Sequence, residues 1–155
     1  MAIPATVSKA QGEWKGQSRL HLSWLPDDQK IQESESSLSI KIDKNQSFAR
    51  LDYSWSNEDG LQEGALLLAS SSASDAVTGG WSDSWHQSGA VMALSGADTD
   101  SGTKVSGHYA VEGHPDWGWK IELESKDKDT LVLRMTNVSP EGEEDWAVEA
   151  KYSRT

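Results

Sequence analysis

Apolar and polar residues alternate along most of the chain with the period of two that is typical of half-buried β-strands. From Trp14 to Trp24, every even-numbered position holds Trp, Gly, Ser or Leu, and the odd-numbered positions hold charged or polar residues. Turn-forming residues separate such segments, for example Pro26-Asp27-Asp28 and Asn57-Glu58-Asp59-Gly60. The pattern predicts about ten strands, at residues 13–24, 32–42, 47–55, 62–70, 75–87, 89–94, 104–111, 118–125, 130–138 and 145–152.

The short spacing of these segments indicates an all-β fold in which neighbouring strands are antiparallel. In the closing segments, apolar residues such as Ile121 and Leu133 share one face, and charged residues such as Glu122 and Arg134 share the other, as a barrel wall requires. The length of 155 residues suits one domain. We therefore predict a single up-and-down antiparallel β-barrel over residues 1–155, in which residues 1–10 form a loose N-terminal segment.

The chain contains eight tryptophans but one phenylalanine, and the tryptophans occur in five of the ten predicted strands. Large aromatic rings can line a ligand cavity as well as fill a core, so their positions matter. We predict that Trp24 and Trp55 belong to the core, whereas Trp146 fits either role. The rings that we expect to contact a ligand are Trp81, Trp85, Tyr109, Trp117 and Trp119. Small residues on the inward faces favour a modest cavity over a solid core, and these are Gly16, Ser18, Gly107 and Ala150.

The densest group of polar and aromatic residues is residues 81–87, with the sequence Trp-Ser-Asp-Ser-Trp-His-Gln. On a continuous strand over residues 75–87, Trp81, Asp83, Trp85 and Gln87 would share the lumen face, and His86 would lie on the other. Buried Asp83 and Gln87 would need hydrogen-bond partners, which neighbouring strands or a ligand could supply. We therefore include Asp83 and Gln87 among the candidate ligand-binding residues.

Catalysis has weaker support in the sequence than binding. His86 or His108 could act as a general base beside Asp83 or Glu112, and His86, His108 and Asp83 are the candidate catalytic residues. The serines in residues 81–87 lack the elbow or oxyanion motif of a nucleophile. A small barrel can nevertheless promote cyclisation or isomerisation by holding an apolar substrate in an aromatic pocket with one polar residue. The sequence therefore leaves open whether the protein is an enzyme.

Charge and composition exclude several classes of function. The formal net charge of −11 disfavours nucleic acid and anionic membranes as partners, because this surface would repel their phosphates. The chain has no cysteine for thiolate chemistry, and its four histidines lack a metal-ligand spacing, so we expect no metal site and no cofactor. The first residues lack the pattern of a secretory signal, which favours a cytoplasmic protein. A homodimer is compatible with the sequence.

Gly12-Glu13-Trp14, at the start of the first long strand, resembles the Gly-x-Trp signature of the lipocalins and the wider calycin superfamily. This resemblance implies a lipocalin-like barrel in which Trp14 closes one end. It also implies that a basic residue of the last strand packs over the Trp14 ring, with Arg154 as the first candidate and Lys151 as the second.

The chain also resembles the bacterial family of unknown function DUF1579. The matching motifs are Gly12 to Gly16, residues 81–86 with their paired tryptophans, and Gly89-Ala90-Val91-Met92. This resemblance implies a lipocalin-like fold but no particular reaction, because a fold does not determine a function.

Together these features favour non-catalytic binding of a small, mostly apolar or aromatic molecule in the barrel lumen. The alternative is an enzyme of the cyclase, isomerase or hydrolase type that acts on such a molecule in the same pocket. A third possibility is a barrel that binds haem or one that is purely structural. The haem possibility comes from haem proteins that combine a lipocalin-like fold with one histidine ligand. A likeness to fatty-acid-binding proteins would imply an Arg-x-Tyr pair near the C-terminus, but the order here is Tyr152-Ser153-Arg154.

Overall fold

The computed structural model describes residues 3–71 and 74–155, and within them ten antiparallel strands form one closed barrel. Each strand pairs with its neighbours in sequence, and β1 closes the barrel against β10. The elements are α1 (Ala5–Lys9), β1 (Gly12–His21), a 3-10 turn (Asp27–Gln29), β2 (Ile31–Ile42), β3 (Ala49–Asn57), β4 (Gly60–Ser70), β5 (Ala76–Asp83), β6 (Met92–Thr99), β7 (Gly102–Val111), β8 (His114–Asp127), β9 (Thr130–Val138) and β10 (Glu144–Arg154). The predicted all-β, up-and-down barrel is confirmed.

The alternation of apolar and polar residues places one face of every strand in the interior. Leu20, Leu38, Leu51, Leu66 and Leu133, from five different strands, are all buried in one core. The end of the barrel at which β1 begins is called the base, and the opposite end, where β1 finishes, is called the mouth. No helix in the described part of the chain is both long and apolar enough to span a membrane.

The base is closed by the N-terminal segment, which is not loose as the sequence suggested. In its described part, α1 places Val7 in the core with no exposed surface, and Ile3 and Ala10 are buried beside it. The side chain of Asp98 accepts a hydrogen bond of 2.9 Å from the Ala5 amide. The prediction failed because a helix of five residues is too short for its period to show, although its apolar side chains are what plug the base. Residues 1–2 lie outside the described part.

Trp14 and Arg154 join this plug to the barrel wall. The Trp14 indole donates a hydrogen bond of 2.8 Å to the carbonyl of Ala10, and the guanidinium carbon of Arg154 lies 4.4 Å from the centre of the Trp14 ring. Arg154 also donates to the carbonyls of Gln11 and Lys9, at 2.7 and 3.1 Å. The architectural role expected of Gly12-Glu13-Trp14 is therefore confirmed, with Arg154 rather than Lys151 as the basic partner.

The middle of the barrel is nearly filled. Its internal cavity has a volume of about 10 Å³, which is room for roughly one water molecule, and Ser18, Ala150 and Tyr152 are among its lining residues. Two of the small residues make room for neighbouring atoms instead of a ligand. Gly16 lies directly against the backbone of β10, and Gly107 lies against Met92 and the backbone of Ala93. The space for a ligand must therefore be sought elsewhere.

Strand ends and a bulge decide where three tryptophans lie near the mouth, and the predicted core position of Trp24 is wrong. β1 ends at His21 rather than at Trp24, so the predicted core residue Trp24 lies in a loop with 70% of its surface exposed. β5 ends at Asp83, and a turn carries Trp85 and the residues after it. A bulge between Trp146 and Val148 turns Trp146 to the outer wall, where it stacks on His21 at 4.4 Å.

Arg154→Ala removes a cation–π contact and several hydrogen bonds that hold the plug at the base. We expect the free energy of unfolding to fall by about 1–2 kcal/mol, as measured by urea denaturation. Lys151→Ala, three residues earlier on the same strand, is the control. Its side chain is exposed and lies 3.8 Å from Glu149, so its loss should change stability by less than about 0.5 kcal/mol. Equal stabilities for the two variants would contradict the role given to Arg154.

Candidate functional site

An open cleft of about 460 Å³ lies at the mouth of the barrel and is called the mouth cleft. Strand ends and turns at this end of the barrel bring tryptophans together around it. Among the described side chains, those that line it include Trp24, Trp85, Trp117, Trp119 and Trp146. His86 lines both the mouth cleft and the small internal cavity, so its ring forms part of the floor between them.

Asp83 lies beneath this floor and holds several elements together. Its side chain is fully buried at the end of β5. One carboxylate oxygen accepts hydrogen bonds of 2.8 Å from the backbone amides of Trp85 and His86, which fixes the turn after the strand. The other oxygen accepts from the Tyr53 hydroxyl at 2.6 Å and from the Trp55 indole at 3.3 Å. One side chain thus links β3, β5 and the turn that carries His86.

Gly64 is the residue on β4 that permits this arrangement. It lies between Tyr53 and Asp83 in the register of the sheet, and the Tyr53 ring passes directly over its α-carbon. Any side chain at this position would overlap the Tyr53 ring. Because glycine leaves the position empty, the Tyr53 hydroxyl reaches across β4 to Asp83, and it also accepts a hydrogen bond of 3.0 Å from the Trp81 indole.

The electrostatics of this cluster keep Asp83 ionised. Burial acts to raise the pKa of Asp83, but the contact with His86, the Tyr53 hydroxyl and the backbone amide of His86 outweigh it and lower the pKa from 3.8 to about 2. Burial, reinforced by the Asp83 charge, raises the pKa of Tyr53 well above its ordinary value. The Tyr53 hydroxyl therefore remains protonated and donates to a charged carboxylate, which is a strong type of hydrogen bond.

His86 is held in a box of aromatic rings above Asp83. Its ring centre lies 4.8 Å from that of Trp85 and 5.4 Å from those of Trp55 and Trp119. Its Nδ1 atom is 3.4 Å from an oxygen of Asp83, but the geometry is not that of a hydrogen bond. The imidazole is thus oriented by packing, with one edge towards the carboxylate.

The predicted ligand-binding residues fall into separate layers. Trp85, Trp117 and Trp119 line the mouth cleft. Trp81 and Asp83 are buried beneath it, where Trp81 stacks on Trp119 with ring centres 5.2 Å apart. These two residues support the cleft rather than line it.

The remaining predicted residues lie beside the mouth cleft or away from it. The Gln87 amide donates to the Asp83 carbonyl at 3.1 Å within the turn, so the predicted shared strand face for Asp83, Trp85 and Gln87 is wrong. The Tyr109 hydroxyl donates at 2.6 Å to Asn137, which lines the cleft. His108 is exposed on β7, and only His86 of the two candidate bases contacts Asp83.

Tyr53, Gly64 and the acidic residues at the turn between β9 and β10 are missing from the site predicted from the sequence. Glu143 of this turn, with Glu144 and Asp145 at the start of β10, forms an acidic rim on the mouth cleft. A signal was present for the turn at Asp83, because an aspartate at the end of a strand often accepts hydrogen bonds from the amides two and three residues later. Within the described residues, no group of three or more His, Cys, Asp and Glu side chains could hold a metal ion.

A larger hollow of about 820 Å³ lies on the outer wall, where small side chains such as Ser37, Ser54 and Ser82 face outward. It is shallower and more open than the mouth cleft. Its charged residues include Arg50 and Asp52, which pair with each other at 3.1 Å and remain well exposed. A small apolar molecule would stay largely hydrated there, so the mouth cleft is the better candidate site.

The comparison with known proteins gives a family but no activity. The chain matches the family model described as "Protein of unknown function (DUF1579)" over residues 5–154, which is nearly its whole length. It matches no curated protein.

Asp83→Asn tests how much the charge on Asp83 contributes to the free energy of unfolding. At neutral pH we expect the free energy of unfolding to fall by about 2–4 kcal/mol, because the amide would point N–H groups at donors that now face carboxylate oxygens. The lowered pKa of Asp83 stabilises the fold above pH 3.8, and this contribution is lost as the pH falls through about 2. The stability gap between wild type and variant should therefore narrow across that interval in urea denaturation.

Asp59→Asn, in the exposed turn between β3 and β4, is the matched control and should change stability by less than about 0.5 kcal/mol. If wild type and Asp83→Asn have the same free energy of unfolding at neutral pH, the charge on Asp83 does not organise the cluster. The same conclusion would follow if the difference between their free energies of unfolding did not change with pH.

Proposed function

We propose that this chain, which belongs to the DUF1579 family, binds a small, mostly apolar or aromatic molecule non-covalently in the mouth cleft. The observation that carries the proposal is the 460 Å³ cleft lined by tryptophan rings above a filled barrel. Clefts of this size with apolar walls and a few fixed polar groups are the usual form of small-molecule sites. The proposed location is therefore the mouth rather than the deep lumen.

The rings of the mouth cleft are held in place before any ligand arrives. Trp119 stacks on the fully buried Trp81, and Trp85 packs edge-on against Trp55 with ring centres 5.7 Å apart. A ligand that contacts these rings therefore loses little free energy in ordering them. This supports recognition of a flat, rigid molecule through stacking and apolar contact.

The charge around the cleft supports an uncharged or cationic ligand. The acidic rim and the net charge of −11 would repel fatty acids, nucleic acids and anionic lipids. The two residues that could capture a carboxylate are otherwise engaged. The Tyr152 hydroxyl is hydrogen-bonded to Ser36 at 2.7 Å, and Arg154 holds the plug at the base.

We retain the cytoplasm as the expected compartment.

A second candidate function is catalysis in the same cleft, and the buried pair of Asp83 and His86 favours it. Packing holds the imidazole with Nδ1 near the carboxylate, and its Nε2 could then act as a general base towards a bound substrate. Such a base would suit an isomerase, cyclase or hydrolase that acts on an apolar molecule. The binding proposal requires only the cleft, whereas the catalytic one requires proton transfer at His86.

The haem-binding alternative loses support from the residues present. The internal cavity of about 10 Å³ cannot admit a macrocycle. His21 is stacked on Trp146, and its Nδ1 lies 2.7 Å from the Trp146 carbonyl oxygen. His86 is enclosed by Trp55, Trp85 and Trp119. Neither imidazole has an open face large enough for a haem.

Tryptophan fluorescence with 2-acetylnaphthalene and 2-ethylnaphthalene as probes tests the binding proposal. We expect saturable quenching in wild type and a loss of affinity of about tenfold for Trp117→Ala, because a lining ring is removed. Phe48→Ala removes an exposed aromatic ring from the turn between β2 and β3, at the base, and should leave the affinity unchanged. Absence of saturable quenching, or equal affinities for the two variants, would contradict a binding site at the mouth.

His86→Gln separates the two candidate functions. If the protein only binds, the variant keeps most of its affinity, and the small molecules of the host cell are the same with wild type and variant. If His86 is a general base, a product that accumulates with wild type disappears with the variant although the variant still binds. Untargeted mass spectrometry of the host's small molecules measures this difference.

A further inference from the structure

A buried hydrogen-bond donor beside the mouth cleft has no partner among the described residues. This donor is Nε1 of Trp119, which belongs to a residue that is only 7% exposed. Buried polar groups in folded proteins are nearly always hydrogen-bonded, so an unpartnered one needs an explanation. An indole N–H can only donate, and the missing partner is therefore an acceptor.

The Trp119 ring cannot easily turn to find an acceptor within the protein. It is stacked on Trp81 with an interplanar angle of 8°, and the His86 ring lies 5.4 Å from it on another side. Nδ1 of His86 is also buried without a hydrogen bond, but the Asp83 carboxylate is only 3.4 Å away. No described residue accepts a hydrogen bond from Nε1 of Trp119, and because Trp119 lines the mouth cleft, a molecule bound there is the source of an acceptor that we infer.

The surroundings select the charge of that acceptor. Asp83 is ionised beneath the floor, and Glu143, Glu144 and Asp145 form the rim. Lys120 pairs with Glu144, but the described residues that line the mouth cleft still include three acidic side chains and no lysine or arginine, so a carboxylate would be repelled more than a neutral carbonyl oxygen. The hydrogen bond would also satisfy a buried donor that an apolar isostere without an acceptor would leave unpaired.

We propose that the ligand of the mouth cleft carries a neutral hydrogen-bond acceptor, such as a ketone or amide carbonyl, that accepts from Nε1 of Trp119 while its apolar body contacts Trp85 and Trp117. This inference rests on the proposed function and defines its ligand class. It distinguishes a carbonyl-bearing aromatic molecule from a pure hydrocarbon and from an organic acid.

Trp119→Phe tests the inference, because it keeps an aromatic ring and removes the donor. The ratio of the affinities for 2-acetylnaphthalene and 2-ethylnaphthalene cancels the general effects of the substitution on packing. We expect this ratio to be three- to tenfold lower in Trp119→Phe than in wild type. Trp117→Phe, two residues earlier on β8, is the matched control and should leave the ratio unchanged. 2-Naphthoate should bind wild type more weakly than 2-acetylnaphthalene.

The indole N–H resonance of Trp119 gives a second measurement that does not depend on a variant's affinity. In ¹⁵N-labelled wild type, we expect this proton to move downfield when 2-acetylnaphthalene binds and not when 2-ethylnaphthalene binds. If Trp119→Phe does not fold, this shift decides alone, with the resonance assigned from the remaining single tryptophan variants. An unshifted resonance would overturn the inference.

The outcomes separate this inference from the proposed function. If 2-acetylnaphthalene and 2-ethylnaphthalene bind with the same affinity ratio in wild type and Trp119→Phe, the proposed hydrogen bond from Trp119 to a ligand acceptor is wrong. The proposed binding site at the mouth would still stand. Tighter binding of 2-naphthoate than of 2-acetylnaphthalene overturns the neutral charge. If none of the three compounds binds, the proposed function and the inference fail together.

Discussion

The buried charge of Asp83 is the constraint on which the mouth of this barrel depends. A carboxylate away from water is tolerated only when donors surround it, and the donors here come from distant parts of the chain. Tyr53 and Trp55 come from β3, and the amides of Trp85 and His86 come from the turn after β5. The hydrogen bonds that stabilise this one charge therefore fix the conformation of the turn, the orientation of the Tyr53 side chain and the position of His86.

The two ends of the barrel serve different purposes. At the base, α1, Trp14 and Arg154 form a closed plug whose contacts are purely architectural. At the mouth, Trp119 packs on Trp81 and Trp85 packs on Trp55, and both Trp119 and Trp85 also line the open mouth cleft. Because the middle of the barrel is nearly filled, packed side chains separate the plug at the base from the mouth cleft.

The sequence predicts the fold well because the period of two is a direct consequence of strand geometry, and it persists in every wall of the barrel. It predicts the site less well, because the site depends on interruptions of that period. The hydrogen bonds of Asp83 end β5 and bring His86 inward, the bulge after Trp146 turns that ring outward, and the end of β1 leaves Trp24 in a loop. The contact between Tyr53 and Asp83 across Gly64 joins residues 30 positions apart, which a single sequence does not reveal.

The ionisation of Asp83 can be followed directly by the carbon-13 resonance of its carboxyl carbon, assigned with the Asp83→Asn variant, as the pH is lowered. Because His86, the Tyr53 hydroxyl and the backbone amide of His86 lower the pKa of Asp83, we expect the resonance to keep the position of a charged carboxylate below pH 3.8 and to titrate with a midpoint near 2. A midpoint at or above 3.8 would show that the surrounding donors do not hold a charge there, and it would contradict the central role given to Asp83.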